Sequence, residues 1–394
     1  MAGRVGVVAD WKYLFADLST NQIIDEIPMS QVRISKVLNG SGALTGVIKL
    51  GDAALVGRTI KEATQPARRV VYAIRDNSPF WGGIIWATSY DSDTRQLAIG
   101  ATDWWSYFDH RRILSAITLP LNPYDIAGQS QIYTATDQNT IARALVTLAQ
   151  SHTGGNIGIV ADTTLSGKLR DRTYDGSALK PVGEALRDLA NVIDGPDIVF
   201  DVGAFGTNGR PARIMRVGTP QLSQQGNPHT WDLGANLLKY TWSSGGGVMA
   251  TRALITGAGQ DRGTLVAVSE DTTLYATNWP LLEVDDAHVD VSDITTLQQY
   301  ADSAVAGARL PAVSIGLSVR GDLTPALGSY SVGDNATFNV PALVVTNGAI
   351  ERGDPFLPAG LNLTVRLTAI NLSIDDNSGI EDIDLSTFPT LGVV

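Results

Sequence analysis

The sequence predicts an α+β protein that is mainly β, with a compact α+β segment between two β-rich segments. Three observations lead to this fold class. Runs of β-branched and aromatic residues, separated by turn residues, recur through residues 1–130. Apolar residues at helical spacing are concentrated in residues 131–235. Alternating apolar and polar residues, typical of half-buried strands, return in residues 236–394.

Strands and one short helix are predicted for the first segment. The early strands are residues 11–18, 23–27 and 42–50, and the first two form a hairpin around residues 19–22. Residues 52–64 are predicted to be a short helix with Asp52 as its N-cap. An antiparallel meander follows, with strands at residues 69–75, 80–88 and 97–99, and then a short aromatic helix within residues 103–112.

Two amphipathic helices and a strand pair are predicted for the middle segment. The first helix covers residues 136–151, with Asp137 as its cap. The second covers residues 178–192, and Pro181 suits its first turn. Strands at residues 197–203 and 212–217 flank a turn. This arrangement defines a unit of about a hundred residues, which is a typical size for a small domain.

The third segment combines strands with one helix over residues 293–308, for which Asp293 is the predicted cap. Its strands are predicted at residues 237–243, 252–257, 265–269, 313–320, 361–374 and 380–385. Along residues 361–374 the apolar set moves from odd to even positions. This change of phase predicts a β-bulge near Ala369, and residues 375–379 are predicted to form a hairpin turn.

Two groups of motifs resemble one protein family. The N-terminal tract contains Trp81-Gly82-Gly83-Ile84-Ile85 within the meander and Arg111-Arg112-Ile113 after the aromatic helix. The C-terminal part contains the helix at 293–308, the strand at 312–320, Tyr330-Ser331-Val332-Gly333-Asp334 and the final hairpin. In this order they resemble the baseplate hub, also called tail-tip hub or minor tail, proteins of long-tailed bacteriophages. The resemblance covers most of the chain.

The resemblance implies a domain organisation and a structural role. It implies β-barrel-like hub domains at residues 1–130 and 236–394, with the α+β segment 131–235 as an insertion domain. It further implies a homotrimeric ring that surrounds the DNA channel and adapts the sixfold tail tube to threefold tip components. The expected partners are the distal tail protein, the tape-measure protein and receptor-binding or tip proteins. The expected location is the virion tail tip, with host cytoplasm during assembly.

Charge is distributed unevenly along the chain, whose formal net charge is −11. Residues 1–280 carry 25 basic and 25 acidic side chains, whereas residues 281–394 carry 4 basic and 15 acidic ones. Clustered Lys and Arg are absent, so tight nucleic-acid binding is not expected. Carboxylates of the last third would keep DNA from adhering if they line a channel.

Composition also narrows the possible chemistry. The chain has no Cys, which excludes disulfides, thiolate nucleophiles and Cys-based zinc sites. No apolar run reaches the roughly 20 residues that a membrane-spanning helix needs.

Several residues are candidates for sites by their type, and for each a structural role is favoured. Residues 257–263 are Gly-rich, but a strand instead of a helix is predicted to follow, which favours a hairpin turn over a dinucleotide loop. Asp109 beside His110 has no partner nucleophile, and His152, His229 and His288 lack metal-type spacing. The aromatic group Trp104, Trp105, Tyr107 and Phe108 is expected to pack in a core or an interface, the alternative being a sugar platform.

Acidic clusters leave two further alternatives open. One cluster, Glu283, Asp285, Asp286, Asp290 and Asp293, offers oxygen ligands for Ca²⁺ but lacks an EF-hand loop. A pair of carboxylates for glycoside hydrolysis is recognised by its three-dimensional spacing. We therefore expect no enzyme activity and no catalytic, cofactor-binding or metal-binding residue. The alternative functions are a β-rich cell-wall glycan hydrolase and a carbohydrate-binding tail protein.

Overall fold

The computed structural model describes residues 9–389 except 118–124, 127, 193, 219–220, 225, 289–292 and 377–378. Within this part the protein is mainly β, with several sheets and few helices, which confirms the predicted fold class. In the part described, no helix combines the length and apolarity that crossing a bilayer requires.

Elements up to the first long helix are mostly strands. They are β1 Trp11–Asp17, β2 Ile23–Glu26, β3 Ser30–Val37, β4 Ala43–Lys49, β5 Arg69–Arg75, β6 Ser78–Asp91, β7 Gln96–Thr102 and β8 Ser130–Asp137. Two short helices, α1 Ile60–Ala63 and α2 Trp105–Asp109, lie among them.

The middle of the chain contains two helices and five strands among the described residues. The elements are α3 Gln138–Gln150, β9 Ile159–Ala161, β10 Leu169–Asp175, α4 Val182–Ala190, β11 Ile198–Phe205, β12 Pro211–Val217 and β13 His229–Asp232.

One helix lies among the remaining strands. The elements are β14 Leu237–Gly245, β15 Arg252–Thr256, β16 Val266–Glu270, β17 Glu283–Ala287, α5 Ile294–Ala308, β18 Ala312–Arg320, β19 Asn335–Val340, β20 Val344–Thr346, β21 Ala349–Arg352, β22 Leu361–Ile374 and β23 Glu381–Pro389.

The chain forms two compact units. The first comprises Met1–Lys239 and Leu317–Thr387, and the second comprises Tyr240–Gly316 and Phe388–Val394. The large sheet of the first unit contains the strand order β23-β22-β3-β4-β7-β6-β5-β1-β2, and β19 joins it by pairing with both β22 and β13. No pairing that closes this sheet into a barrel is found among the described strands.

The predicted meander is present as β5, β6 and β7, which pair antiparallel in sequence order. A pair of glycines in β6 permits close packing there. A Cβ on Gly82 would lie 2.6 Å from Tyr72 and 2.9 Å from Trp104, and one on Gly83 would lie 2.3 Å from the Thr102 carbonyl oxygen. The Trp-Gly-Gly motif is therefore explained by tight contacts that only glycine allows.

The predicted helix over residues 52–64 is wrong. Its place is taken by a 3₁₀ turn, Ala53–Leu55, and the four-residue α1, which has no side-chain cap. Between them Gly57 has φ +83°. A left-handed residue cannot continue a right-handed helix, so the segment breaks at this position.

Helices of the middle segment agree better with their predicted patterns. Helix α3 begins after Asp137, whose side chain accepts hydrogen bonds from the backbone N–H groups of Asn139 and Thr140. Helix α4 is shorter than predicted, with Pro181 at its N-cap instead of in its first turn. Their apolar faces contribute Leu145 of α3 and Leu186 of α4 to one core. The same core contains Tyr72 of the meander and Trp104, which precedes α2.

The buried positions of strand β22 change phase, as the sequence pattern indicates, but its pairings with β19 and β3 contain no β-bulge near Ala369. Val365 and Leu367 are buried before it, and Ile370 and Leu372 are buried after it. The change falls where β22 exchanges one partner for another, because residues 361–366 pair with β19 and residues 369–373 pair with β3. The buried positions of β22 therefore change where its paired strand changes from β19 to β3.

The second unit is a small sheet with one helix. Its order is β16-β15-β17, with β15 antiparallel to β16 and parallel to β17. Helix α5 begins directly after Asp293, as predicted. The apolar core comprises Ala253, Ile255, Ala267, Leu297, Ala301 and Val305.

Candidate functional site

The Gly-rich segment after β15 is a hairpin loop, as predicted. The Gly257 N–H donates to the Leu265 carbonyl oxygen at 2.8 Å, and the Leu265 N–H donates back to Ala258 at 3.0 Å. Strand β16 follows the loop in the position where a dinucleotide-binding motif requires a helix.

No acid–base pair forms between Asp109 and His110. Asp109 instead accepts a hydrogen bond from Arg187 at 2.7 Å, while the His110 ring lies 4.7 Å from Trp86. His152, two residues beyond α3, lies with its Nε2 2.8 Å from the Leu114 carbonyl oxygen. Both histidines therefore have structural contacts.

The other two histidines, His229 and His288, each contact an aromatic ring and an aspartate. His288 stacks on Tyr300 with ring centroids 4.0 Å apart, and its Nε2 is 3.5 Å from Asp286. His229 packs beside Trp231 and lies 3.5 Å from Asp334. Among the residues that the structure describes, no group of three His, Asp or Glu side chains has the arrangement of a metal site.

The acidic cluster of the second unit is spread along an exposed edge strand. Every residue of β17 is exposed, and Glu283 pairs with Arg252 at 2.9 Å, as does Glu270. Asp293 precedes α5, whereas Asp290 lies outside the described residues. Because Arg252 lies between Glu283 of the cluster and Glu270 of β16, salt-bridge formation accounts for one member of the cluster.

The aromatic residues that follow β7 form an anchor in the core. Trp104, Trp105 and Phe108 are fully buried. The ring of Phe200 lies 5.5 Å from that of Trp105 and 5.0 Å from that of Phe108. The expected packing role is confirmed for these three residues, because a sugar platform needs exposed ring faces.

A buried guanidinium that sequence reasoning missed connects three parts of the first unit. Arg213 on β12 is 2% exposed and donates to the Tyr72 hydroxyl at 2.7 Å and to the carbonyl oxygens of Leu18 and Ile157 at 2.6 Å each. Its guanidinium carbon also lies 4.8 Å from the centre of the Trp104 ring. Buried residues alternate with more exposed ones along β12, and this alternation places Arg213 on the buried face. The period-two pattern is therefore the sequence feature that could have indicated its burial.

A second network joins the two ends of the first unit. Glu381, at the start of β23, accepts hydrogen bonds from Arg75 at 2.6 and 2.9 Å and from the Trp11 indole N–H at 3.0 Å. The Glu381 side chain is only 6% exposed. A bidentate, largely buried pair of this kind fixes orientation as well as adding free energy. The residue belongs to the acidic tract 375–384, and its role is structural.

Asp103 is a buried carboxylate at the start of α2. It accepts hydrogen bonds from the Gly42 N–H at 2.6 Å, the Ser41 hydroxyl at 3.0 Å and the Trp105 N–H at 2.9 Å. Burial raises the pKa of Asp103 to about 7, although these hydrogen bonds act in the opposite direction.

One surface groove stands out by its size and apolar lining. We call it the β4–β7 groove; it has a volume of about 1040 Å³. Leu50, Leu55, Ile60 and Leu97 contribute its apolar lining, Tyr90 stands at its side, and Arg58, Lys61 and Glu62 also line it. Apolar concavities on a protein surface are typical binding positions.

A hairpin arm of twenty residues, 341–360, projects between β19 and β22. None of its residues is buried, although it contains many apolar side chains. Its two short strands, β20 and β21, meet at Asn347 and Gly348, which both have positive φ, as in a two-residue hairpin turn. Val345 and Ile350 lie opposite each other and are 52% and 54% exposed.

No protein-family model matches this chain, and no curated protein matches its sequence. Solved structures do match it. The 43 kDa tail protein of prophage MuSo2 from Shewanella oneidensis superposes with a TM-score of 0.60 at 12% identity, covering 96% of this chain and 98% of that one. The tail protein from Neisseria meningitidis MC58 gives 0.57 at 13% identity, covering 96% and 97%.

A chain of the Francisella PdpA–VgrG complex, in its half-lidded form, is also similar. It matches with a TM-score of 0.52 at 8% identity, covering all of this chain and 60% of that one. At such low identities the likeness establishes the fold. The chain has the fold of prophage tail proteins along nearly its full length, as the sequence resemblance implied.

Proposed function

We propose that this protein is a structural subunit of a bacteriophage tail tip, where it serves as the baseplate hub. The observation that carries the proposal is the shared fold with the Shewanella tail protein, which extends over 96% of this chain and 98% of that one. Because the match leaves no large part of either chain over, the likeness concerns the whole molecule and not a common module.

Under this proposal three copies form a ring around the DNA channel. Residues 1–130 and 236–394 provide two hub domains per copy, so that three copies offer six similar positions to a sixfold tail tube. Residues 131–235 lie outside this ring as an insertion. A closed threefold assembly with pseudo-sixfold contacts would resolve the mismatch between tube and tip.

The partners in this proposal are proteins of the tail. The distal tail protein binds above the ring, the tape-measure protein lies within, and receptor-binding or tip proteins bind below. The role is mechanical and not catalytic. Support comes from the ion pairs of Asp109 with Arg187 and of Glu283 with Arg252. The proposed location is the virion, with assembly in the host cytoplasm.

The exposed carboxylates of β17 are candidates for the channel wall. Their side chains are open to solvent, and they lie in the acidic last third of the chain. A wall of this sign would repel the DNA backbone and lower friction during ejection. Replacing Asp285 and Asp286 by Asn should slow ejection from assembled particles. An unchanged ejection rate would remove the channel role of these carboxylates.

Labelling of intact particles tests the tail-tip location. Gold-coupled antibodies against this chain should bind the end of the tail that lies away from the capsid, as seen by electron microscopy. Antibodies against the major capsid protein serve as the control for label position. Label on the capsid alone, or no label on particles that contain the chain by mass spectrometry of denatured virions, would contradict the proposal.

A further inference from the structure

A threefold ring places a specific demand on the surface of its subunit. In a cyclic trimer each contact is heterologous, so one surface of a copy binds a different surface of the next copy. Each chain must therefore carry a donor surface and a separate acceptor surface that complement each other. Among the described residues, the hairpin arm is an exposed segment with apolar side chains, and the β4–β7 groove is a depression with a partly apolar lining.

We propose that the hairpin arm of one copy docks in the β4–β7 groove of a second copy, an inference that rests on the proposed homotrimer. The arm presents Val345 and Ile350 on one side of its ribbon, both more than half exposed. The groove offers the Tyr90 ring, which is 55% exposed, and the partly exposed Leu50, beside Leu55 and Leu97, which are already buried. Removing Val345, Ile350 and the Tyr90 ring from water would provide the driving force for the contact.

Charge supports the same pairing. Arg58 and Glu62, which line the groove with Lys61, already have ion-pair partners in Asp25 and Arg69, while the arm carries Glu351, Arg352 and Asp354, with a net charge of −1. Arg58 already pairs with Asp25 at 2.7 Å, whereas Lys61 forms no ion pair among the described residues. Lys61 is thus available to a carboxylate of the arm. Such complementarity fixes register more than it adds affinity.

The strand registers place the arm and the groove at opposite ends of the sheet. Ser373 near the end of β22 pairs with Arg33, and Ser30 at the start of β3 pairs with Val47 near the end of β4. Leu50 of the groove directly follows β4. The arm leaves from the other end of β22, twelve residues and roughly 40 Å away at about 3.3 Å per residue.

This placement favours docking between chains over docking within one chain. The arm leaves the β19–β22 pair at its Val340–Leu361 end, which is the end opposite to the groove of the same copy. A donor at one end and an acceptor at the other are what a head-to-tail contact requires, and such contacts close into a ring when the rotation allows it.

Engineered cysteines give a direct test, because the natural chain has no Cys. Chains carrying Ile350→Cys are mixed with isotopically labelled chains carrying Tyr90→Cys, oxidised, and analysed by intact mass. We expect the mixed disulfide to exceed at least fivefold that of a matched pair, Ile350→Cys with Ile132→Cys. Tyr90 lines the groove, whereas Ile132 is equally open on β8, being 67% exposed. The double variant Tyr90→Cys/Ile350→Cys should give a covalently closed three-chain species.

The outcomes separate this inference from the proposed hub. Equal yields for the two pairs, while solution mass shows three times 41.8 kDa, would overturn the arm–groove contact and leave the trimer intact. Equal yields with a monomer at every concentration overturn the contact as well, and the hub role is then decided by particle labelling. In parallel, Val345→Asp/Ile350→Asp should reduce the trimer fraction at least tenfold with an unchanged Tm, whereas Ile132→Asp should not.

Discussion

Single buried polar residues fix the packing of the first unit. Arg213 is the clearest case, since its guanidinium is satisfied by a hydroxyl, an amide oxygen and backbone carbonyls, with no carboxylate among these acceptors. A charge buried in this manner is tolerated because each donor has an acceptor and the Trp104 ring covers one side. Sequence alone gives the alternation of β12 but not the identity of these distant acceptors.

Asp103 should make stability depend on pH in an unusual direction. Burial raises its pKa to about 7 from 3.8, so the folded state holds a proton that the unfolded state releases between these values. Its contribution to stability is therefore fully present below about pH 4 and is lost as pH rises towards 7. Urea unfolding at pH 4, 5.5 and 7 should show this decline relative to the Asp103→Asn variant.

The Asn variant also separates titration from hydrogen bonding. It cannot accept from all three donors that Asp103 serves, so it should lose about 1–3 kcal/mol of stability. Asp93→Asn, at an exposed turn, is the control and should leave the profile unchanged. Parallel pH profiles for the natural chain and Asp103→Asn would show that this carboxyl is not the titrating group.

At the level of elements, the sequence predicted those features that depend on residues close to one another in the chain. The meander, the helix α3 with its Asp137 cap and the hairpin after β15 follow from turn residues, capping and periodicity. The helix over residues 52–64 failed because apolar spacing does not reveal that Gly57 adopts a positive φ. The phase change in β22 was visible in the sequence, but its cause, an exchange of partner strands, is a long-range property.

The cap of α3 has two functions that substitution can separate. One carboxylate oxygen of Asp137 accepts from the helix N–H groups, and the other accepts from Ser166 and Gly167 at 2.8–2.9 Å. Asp137→Ala should cost about 2 kcal/mol in urea unfolding, because both sets of bonds are lost.

Asp137→Asn provides the matched comparison. Asn is nearly as good an N-cap as Asp but presents an NH₂ group, instead of an acceptor, to the loop. Its stability should therefore fall between those of the natural chain and the Ala variant. If the Ala and Asn variants were equally stable, the loop contacts would carry the whole effect.

At the level of the molecule, the two units have separate apolar cores. The core cluster of the second unit contains six buried side chains, among which Leu297 is fully buried. Leu297→Ala should destabilise this unit by about 2–5 kcal/mol. Hydrogen exchange should then accelerate in β15, β16 and α5, while β5 and β6 of the first unit keep their protection.

The control for this experiment is Gln299→Ala on the exposed side of the same helix. It preserves helix propensity and removes no core contact, so exchange in the second unit should stay as it is. Equal acceleration in β5 after Leu297→Ala would mean that the two units open together. The two units are separate because each packs mainly against itself. Composition and periodicity do not predict this property.

The pairing of β3 with β22 has a consequence for biosynthesis. One edge of β3, near the N-terminus, is completed only by residues 369–373. At a translation rate of roughly 5–20 residues per second, these strands emerge from the ribosome some 20–70 s apart. Throughout that interval the nascent chain exposes an unpaired edge, which is a site of mispairing between neighbouring polypeptides on one messenger. Growing copies therefore stay open to mispairing with one another until residues 369–373 of each copy have been synthesised and have paired with β3.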